Sequence, residues 1–230
     1  MSRIIIFGAG GRAGRAAVQE ARRRGHQVTA VVRDPAKYGA PSTPGGPSAD
    51  SGAPGTYGDL VADGVTLVGG DVTEADGIAR LAAGHDAAIN AAADLGTRPD
   101  VFFPAATRAL LDGLVRAGVE RLLSVGLASV LENASGVPLM DTPGYPQEYR
   151  DFCLGHGAGT DALRSADTPV DWLVISPSGD FDHGGGRTGR YRLAPADTDS
   201  RISYADFAIA LLDEIDTPKH HRTHLGVEQG

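Results

Sequence analysis

Cysteine is nearly absent. The single Cys153 has no partner within the chain, which excludes a disulfide framework and a zinc site built on thiolates. Lysine is almost as scarce, with only Lys37 and Lys219. Acidic side chains outnumber basic ones 29 to 21, for a net charge of −8 with no long Lys/Arg block. Nucleic acid and anionic membranes are therefore poor partners. Aromatic residues make up only 6% of the chain, and no apolar run approaches the ~18 residues of a membrane span. Met1-Ser2-Arg3 runs straight into Ile4-Ile5-Ile6-Phe7, too abruptly for a secretory signal. The expectation is a cytoplasmic monomer or homodimer acting on a small molecule.

Glycine, by contrast, is abundant: 32 of 230 residues without a Gly-X-Y period. Such a composition means tight turns and close backbone approaches. Short apolar runs alternate with helical patterns along the chain. Strands are expected at 3–7, 28–32, 65–68, 87–90, 121–125 and 172–175. Helices are expected at 12–24, 74–83, 104–117, 153–165 and 204–215. Six strands alternating with helices predict an α/β fold: one doubly wound parallel sheet with helices on both faces, forming a single domain over 1–230. Two segments break the rhythm. Residues 39–58 are almost entirely Gly, Pro, Ser and Ala, and read as a tolerated surface insertion, with a lid as the functional alternative. Residues 181–192 carry Gly184-Gly185-Gly186 beyond the last strand, either a moving loop or a plain connection.

Gly8-Ala9-Gly10-Gly11-Arg12-Ala13-Gly14 lies between the first strand and the first helix. A glycine cluster there permits a tight reversal, close approach of backbone to a pyrophosphate, and close packing of helix on strand. The free N–H groups of the helix then face the phosphates. At the tip of the second strand an acid would favour NAD and an arginine NADP. Arg33 comes first, with Arg12 within reach of the same phosphate, so NADPH is expected over NADH. Asp34 is left to cap the turn that Pro35 opens. Asn90-Ala91-Ala92 ends the fourth strand, where small residues let a dinucleotide lie against backbone.

Gly8, Gly11 and Gly14 have the spacing G-x-x-G-x-x-G, which resembles the atypical short-chain dehydrogenase/reductase superfamily. Val31-Val32-Arg33-Asp34-Pro35, Gly70-Asp71-Val72-Thr73, residues 117–123, Asp141-Thr142-Pro143, residues 187–192 and Arg201-Ile202-Ser203 are similar to one branch of it. That branch is the NAD(P)H-binding proteins related to NmrA, biliverdin reductase B and the NADH-flavin reductases. The resemblance implies a Rossmann fold with strand order 3-2-1-4-5-6 and a nicotinamide cofactor. It implies adenine contacts at Asp71 and Val72, although Asp71 is also placed to cap the following helix. It places Ser124 at the edge of the nicotinamide pocket and Pro177 over it. Tyr149 and His156 join Ser124 as candidate catalytic groups, with Met140, Tyr145 and Phe181 around the substrate. The ordinary role for His156 is a packed or surface histidine, and Cys153 reads as a small packing residue. His220, His221 and His224 have the spacing of metal ligands but no supporting carboxylate cluster, and no metal is expected.

The superfamily's Tyr-x-x-x-Lys pair is missing, since neither lysine follows a tyrosine by four places. Two main roles remain. One is hydride transfer from NADPH to a conjugated or aromatic acceptor such as a flavin, quinone or enone. The other is an NmrA-like dinucleotide sensor without catalysis. Epimerase or dehydratase chemistry comes third, because it leans on the missing lysine.

Overall fold

The computed structural model describes residues 1–38 and 64–230, so the 39–58 insertion lies outside the described residues. Ile4-Ile5-Ile6-Phe7 shows why the sheet is buried on both sides. In strand β1 (Arg3–Phe7), Ile4 and Ile6 join one apolar cluster and Ile5 and Phe7 the other. Successive side chains of a strand point to opposite faces, so a continuous apolar run requires cover above and below.

The chain continues through α1 (Arg12–Arg23), β2 (Gln27–Val32), β3 (Val65–Gly69), α2 (Ala75–Ala82), β4 (Ala87–Asn90), α3 (Pro99–Ala117), β5 (Arg121–Val125) and α4 (Arg150–Ser165). After these come β6 (Asp171–Pro177), β7 (Asp180–Asp182), β8 (Tyr191–Leu193), β9 (Arg201–Ser203), α5 (Tyr204–Asp216) and β10 (Thr223–Gln229). Helices α1 and α5 cover one face through Ala17, Val18, Ala21, Phe207 and Leu211. Helices α2, α3 and α4 cover the other through Ile78, Leu110, Leu114 and Leu163.

The main sheet runs β3-β2-β1-β4-β5-β6-β10-β8. Its first six strands follow the expected order and are all parallel. Strand β10 then adds parallel to β6, and β8 closes the edge antiparallel to β10. Neither strand is among those expected from the apolar runs. Thr223–Gln229 mixes polar and apolar residues because the outer strand has only partial cover, so it lacks the continuous apolar run that marks the central strands. Helix α3 also departs from expectation. It starts at Pro99, a residue pre-set for the first helical turn, and carries Pro104 inside, five residues beyond that start. Gly25, expected as the stop of α1, takes φ +82° and lets His26 N–H reach back to the Ala21 carbonyl at 3.0 Å.

The glycine-rich segment after β7 is pinned rather than loose at its far end. Asp206, fully buried in α5, accepts from the backbone N–H of Thr188 (3.0 Å) and Gly189 (2.8 Å). Arg187 forks onto Glu20 of α1 at 3.1 and 3.2 Å. Burial alone would raise the Glu20 carboxyl, but Arg187 and Arg24 hold it below its usual range. Ser203 caps α5 by accepting from Asp206 N–H at 3.1 Å. Replacing Asp206 by Ala would strand these donors in the interior. The expected loss is about 2–5 kcal/mol of stability, read as a lowered urea midpoint. An unchanged midpoint would show that the segment is held by other contacts.

Candidate functional site

The first βα turn is as tight as its glycines allow. Gly8 has φ +73°, and a Cβ there would lie 2.5 Å from the Ala91 backbone. A Cβ on Gly14 would overlap the Gly8 carbonyl oxygen, and one on Gly10 would overlap the Tyr38 hydroxyl. Gly11 begins α1 without a side-chain cap, and the first turn carries no acid. The N–H groups of Arg12, Ala13 and Gly14 are thus offered outward at the positive end of the helix dipole.

A cavity of about 490 Å³ opens at the carboxyl ends of β1 to β4. Gly8, Gly10 and Gly11 form its floor, Asp71 and Val72 one wall, and Ala91, Ala92 and Asp94 another. Arg33 stands at the rim, 67% exposed, and meets Asp94 at 3.1 Å. The Asp94 carboxyl is held below its usual range by the Gly96 N–H, the Thr97 hydroxyl and Arg33. Asp34 caps its own turn, as expected, accepting from Ala36 N–H at 3.1 Å. Asp71 accepts from the N–H and hydroxyl of Thr73 at 2.8 and 2.7 Å, so it closes its own turn and does not cap α2. The Asn90 side chain likewise accepts from Ala92 N–H at 3.1 Å and shapes the small-residue wall.

Arg12 requires a correction. It does not line this cavity with Arg33. Its Nη1 meets His183 Nδ1 at 2.7 Å, on the segment after β6. The two guanidinium groups thus meet different elements, Arg12 at His183 and Arg33 at Asp94. As the first residue of α1, Arg12 sends its side chain past the helix end, toward whichever element lies there.

Ser124 and His156 do come together. They line a second, small cavity of about 30 Å³ with Asn90, Ala92, Thr160 and Val174, room for about one water. The His156 ring packs on Phe103 with centroids 4.3 Å apart, and its Nδ1 is shut off from solvent with no protein partner. Burial lowers its pKa from 6.5 to about 4. Tyr149, by contrast, is 62% exposed at the start of α4 and lines neither cavity. Tyr145 is half-buried against Ala128, Leu131 and Leu139, and burial raises its pKa. Met140 is half-buried nearby in the chain, its carbonyl accepting from Arg150 at 3.3 Å. Phe181 is elsewhere: it stacks on Tyr204 at 4.1 Å and belongs to the α1–α5 core. Pro177 is buried at the end of β6 opposite Val227 and lines neither cavity. Sequence reasoning missed Tyr38, Asp94 and Thr97. Asp94 was the most accessible of these, since it follows the carboxyl end of β4.

The three terminal histidines serve different contacts. His220 pairs with Glu214 at 2.6 Å and His221 with Asp171 at 2.8 Å, both around the buried Arg121. His224 meets the Ser176 hydroxyl at 2.7 Å, and burial lowers its pKa to about 3.

A glycine-built βα turn, a cleft at the strands' carboxyl ends and an uncapped helix end facing it define a dinucleotide-binding α/β protein. The family comparison agrees: residues 53–218 match the NAD(P)H-binding family, and the chain belongs to it. It is 35% identical over 228 residues to YwnB of Bacillus subtilis (strain 168), covering 95% of this chain and 94% of that one. Among solved structures it is similar to a proposed epimerase from Bacteroides thetaiotaomicron, at 30% identity and TM-score 0.78, covering 99% of this chain and 97% of that one. It is also similar to a proposed NADH-flavin reductase from Streptococcus pneumoniae TIGR4, at 27% identity and TM-score 0.74 over the whole of both chains. Among the described residues no helix is long and apolar enough to cross a membrane.

The two depressed histidines make a pH prediction. Both bind protons more readily in the unfolded chain, so the stability they carry is complete above about pH 6.5 and is lost as pH falls toward 4. Each adds a slope of at most about 1.4 kcal/mol per pH unit in that window. Glu20 and Asp206 act in the same sense but only nearer their lower carboxylate range. Urea midpoints measured from pH 7.5 to 4.5 should fall, and fall less steeply in His156→Phe. Parallel slopes would show that His156 titrates freely in the folded protein.

Proposed function

We propose that the protein is an NADPH-dependent reductase of delocalised small acceptors such as flavins, quinones or enones. The observation that carries this reading is the pairing of the large cleft, with Arg33 at its rim, and the small polar cavity that joins Ser124 to a neutral His156. The cleft fits the adenosine half of a dinucleotide. Asp71 and Val72 would face the adenine, Arg33 the ribose phosphate, and the N–H groups at the start of α1 the pyrophosphate. When bound, a reduced nicotinamide would supply a hydride to the acceptor. Ser124 and His156 would hold one water in the small cavity between them, beside which the acceptor would lie. A His156 kept neutral by burial is a weak acid, so the proton that completes the reduction comes from that water. Water suffices for an acceptor whose reduced anion is delocalised, whereas the alkoxide from an isolated ketone needs a positioned acid worth ~10²–10⁴-fold in rate. The net charge of −8 and the single cysteine support a cytoplasmic monomer or homodimer acting on small molecules.

Two measurements test the reading. Arg33→Ala is expected to weaken NADPH binding by roughly ten- to a hundredfold and leave NADH nearly unchanged in calorimetric titration. Equal losses would show that Arg33 does not read the phosphate. Single-turnover oxidation of NADPH should proceed with flavins and quinones and hardly at all with simple ketones. His156→Ala should slow it by no more than about a hundredfold, whereas Tyr149→Phe, outside both cavities, should leave it unchanged. Fast reduction of a plain ketone, abolished by either substitution, would reveal a dedicated acid. Tight NADPH binding without oxidation by any acceptor would instead indicate a sensor.

A further inference from the structure

Arg12 and His183 are 171 residues apart in sequence, yet Arg12 Nη1 donates to His183 Nδ1 at 2.7 Å. The Tyr204 hydroxyl lies 3.2 Å from the same nitrogen. Tyr204 is itself fixed, stacked on Phe181 at 4.1 Å, and Phe181 in turn meets the buried Phe207 edge-on at 5.1 Å. A chain of contacts thus runs from the α1–α5 core to the guanidinium at the start of α1. The contact does little to hold the segment, because both partners are exposed and an exposed hydrogen bond contributes little. Buried Asp206 and Glu20 already anchor that segment. What the His183 contact does determine is where Arg12 points.

We infer that His183 is a positioning residue for the dinucleotide: it holds Arg12 beside the pyrophosphate, leaving the ribose phosphate to Arg33 alone. The inference rests on the dinucleotide reading above. Arg12 opens α1, and side chains on a helix tilt toward its N-terminus, so the guanidinium lies beside the N–H groups that would meet the pyrophosphate. Arg33 is held apart at the tip of β2 by Asp94, at 3.1 Å. NADH and NADPH share the pyrophosphate and differ only at the ribose. Arg12 therefore strengthens both, and only Arg33 discriminates. For Nδ1 to accept from Arg12, His183 must be neutral with its proton on Nε2.

Calorimetric titration of NADH and NADPH into wild type, Arg12→Ala, His183→Leu, His183→Asn and the Arg12→Ala/His183→Leu double variant tests this. Melting temperatures of the exposed His183 variants should match wild type. Arg12→Ala should weaken both nucleotides equally, about tenfold, and His183→Leu equally by about three- to tenfold. The double variant should be no weaker than Arg12→Ala, because His183 acts only through Arg12. His183→Asn, whose Oδ1 offers an acceptor near the position of Nδ1, should recover most of the loss. Loss of NADPH alone in Arg12→Ala would overturn the inference, as would additive losses or an unaffected His183→Leu. A wild type that binds neither nucleotide would instead overturn the dinucleotide reading itself.

Discussion

The close approach of β4 and α1 to the glycine loop at the end of β1 is the constraint on which the site depends. Gly8 lies against the Ala91 backbone, and Gly14 packs on the Gly8 carbonyl with no room for a Cβ. These two approaches bring the end of β4 and the start of α1 to the same point. The cleft is the space left above them, walled by backbone and small residues, so that a flat ligand can lie on main chain instead of side chains. Larger residues at either glycine would move α1 off the sheet and carry the free N–H groups with it.

The other half of the molecule is arranged to keep α1 in place. Glu20 and Asp206 are acids taken out of water on the α1–α5 face, and each is stabilised by several donors from the segment between β7 and α5. A buried carboxylate is tolerable only when so surrounded, which makes the geometry of that segment strict. Arg121 plays the equivalent part at the opposite end of the sheet, where it joins Asp171 and Glu214. Charge in the interior thus fixes how elements far apart in sequence meet, while the two apolar layers supply most of the favourable burial.

On the chemical side the structure is spare. The buried histidines His156 of α4 and His224 of β10 are both kept neutral by burial, and among the described residues no carboxylate is placed to restore their charge. The small cavity beside Ser124 and His156 offers neutral hydrogen-bonding groups and room for about one water. That character agrees with the missing Tyr-Lys pair, which is a plain fact of a chain with two lysines. Solved structures named for epimerase and flavin reductase activities are similar to this chain in fold, so the fold alone does not set a reaction.

Much of the architecture was legible in the residues. Apolar runs such as Ile4–Phe7 report strands buried on both faces, and the glycines from Gly8 to Gly14 report a turn that only they can make, because both are properties of local sterics and solvation. The capping role of Asp34 followed from the same kind of reasoning, and the order of the first six strands from the strand–helix alternation and the glycine turn, as the resemblance also implied. What the residues did not show is where long polar side chains end up. Arg12 looked free to join Arg33, but tertiary packing brought His183 to it. Phe181 looked like a pocket residue, but Tyr204 and Phe207 drew it into the core. Strand β10 escaped notice because an outer strand with one thinly covered face carries no apolar signature of its own. Sequence by itself determined the six central strands, most of the helices and the cofactor class, since those depend on neighbours along the chain. Only the tertiary structure decided which guanidinium, imidazole and carboxylate meet, since those partners lie 61 to 171 residues apart and meet through packing alone.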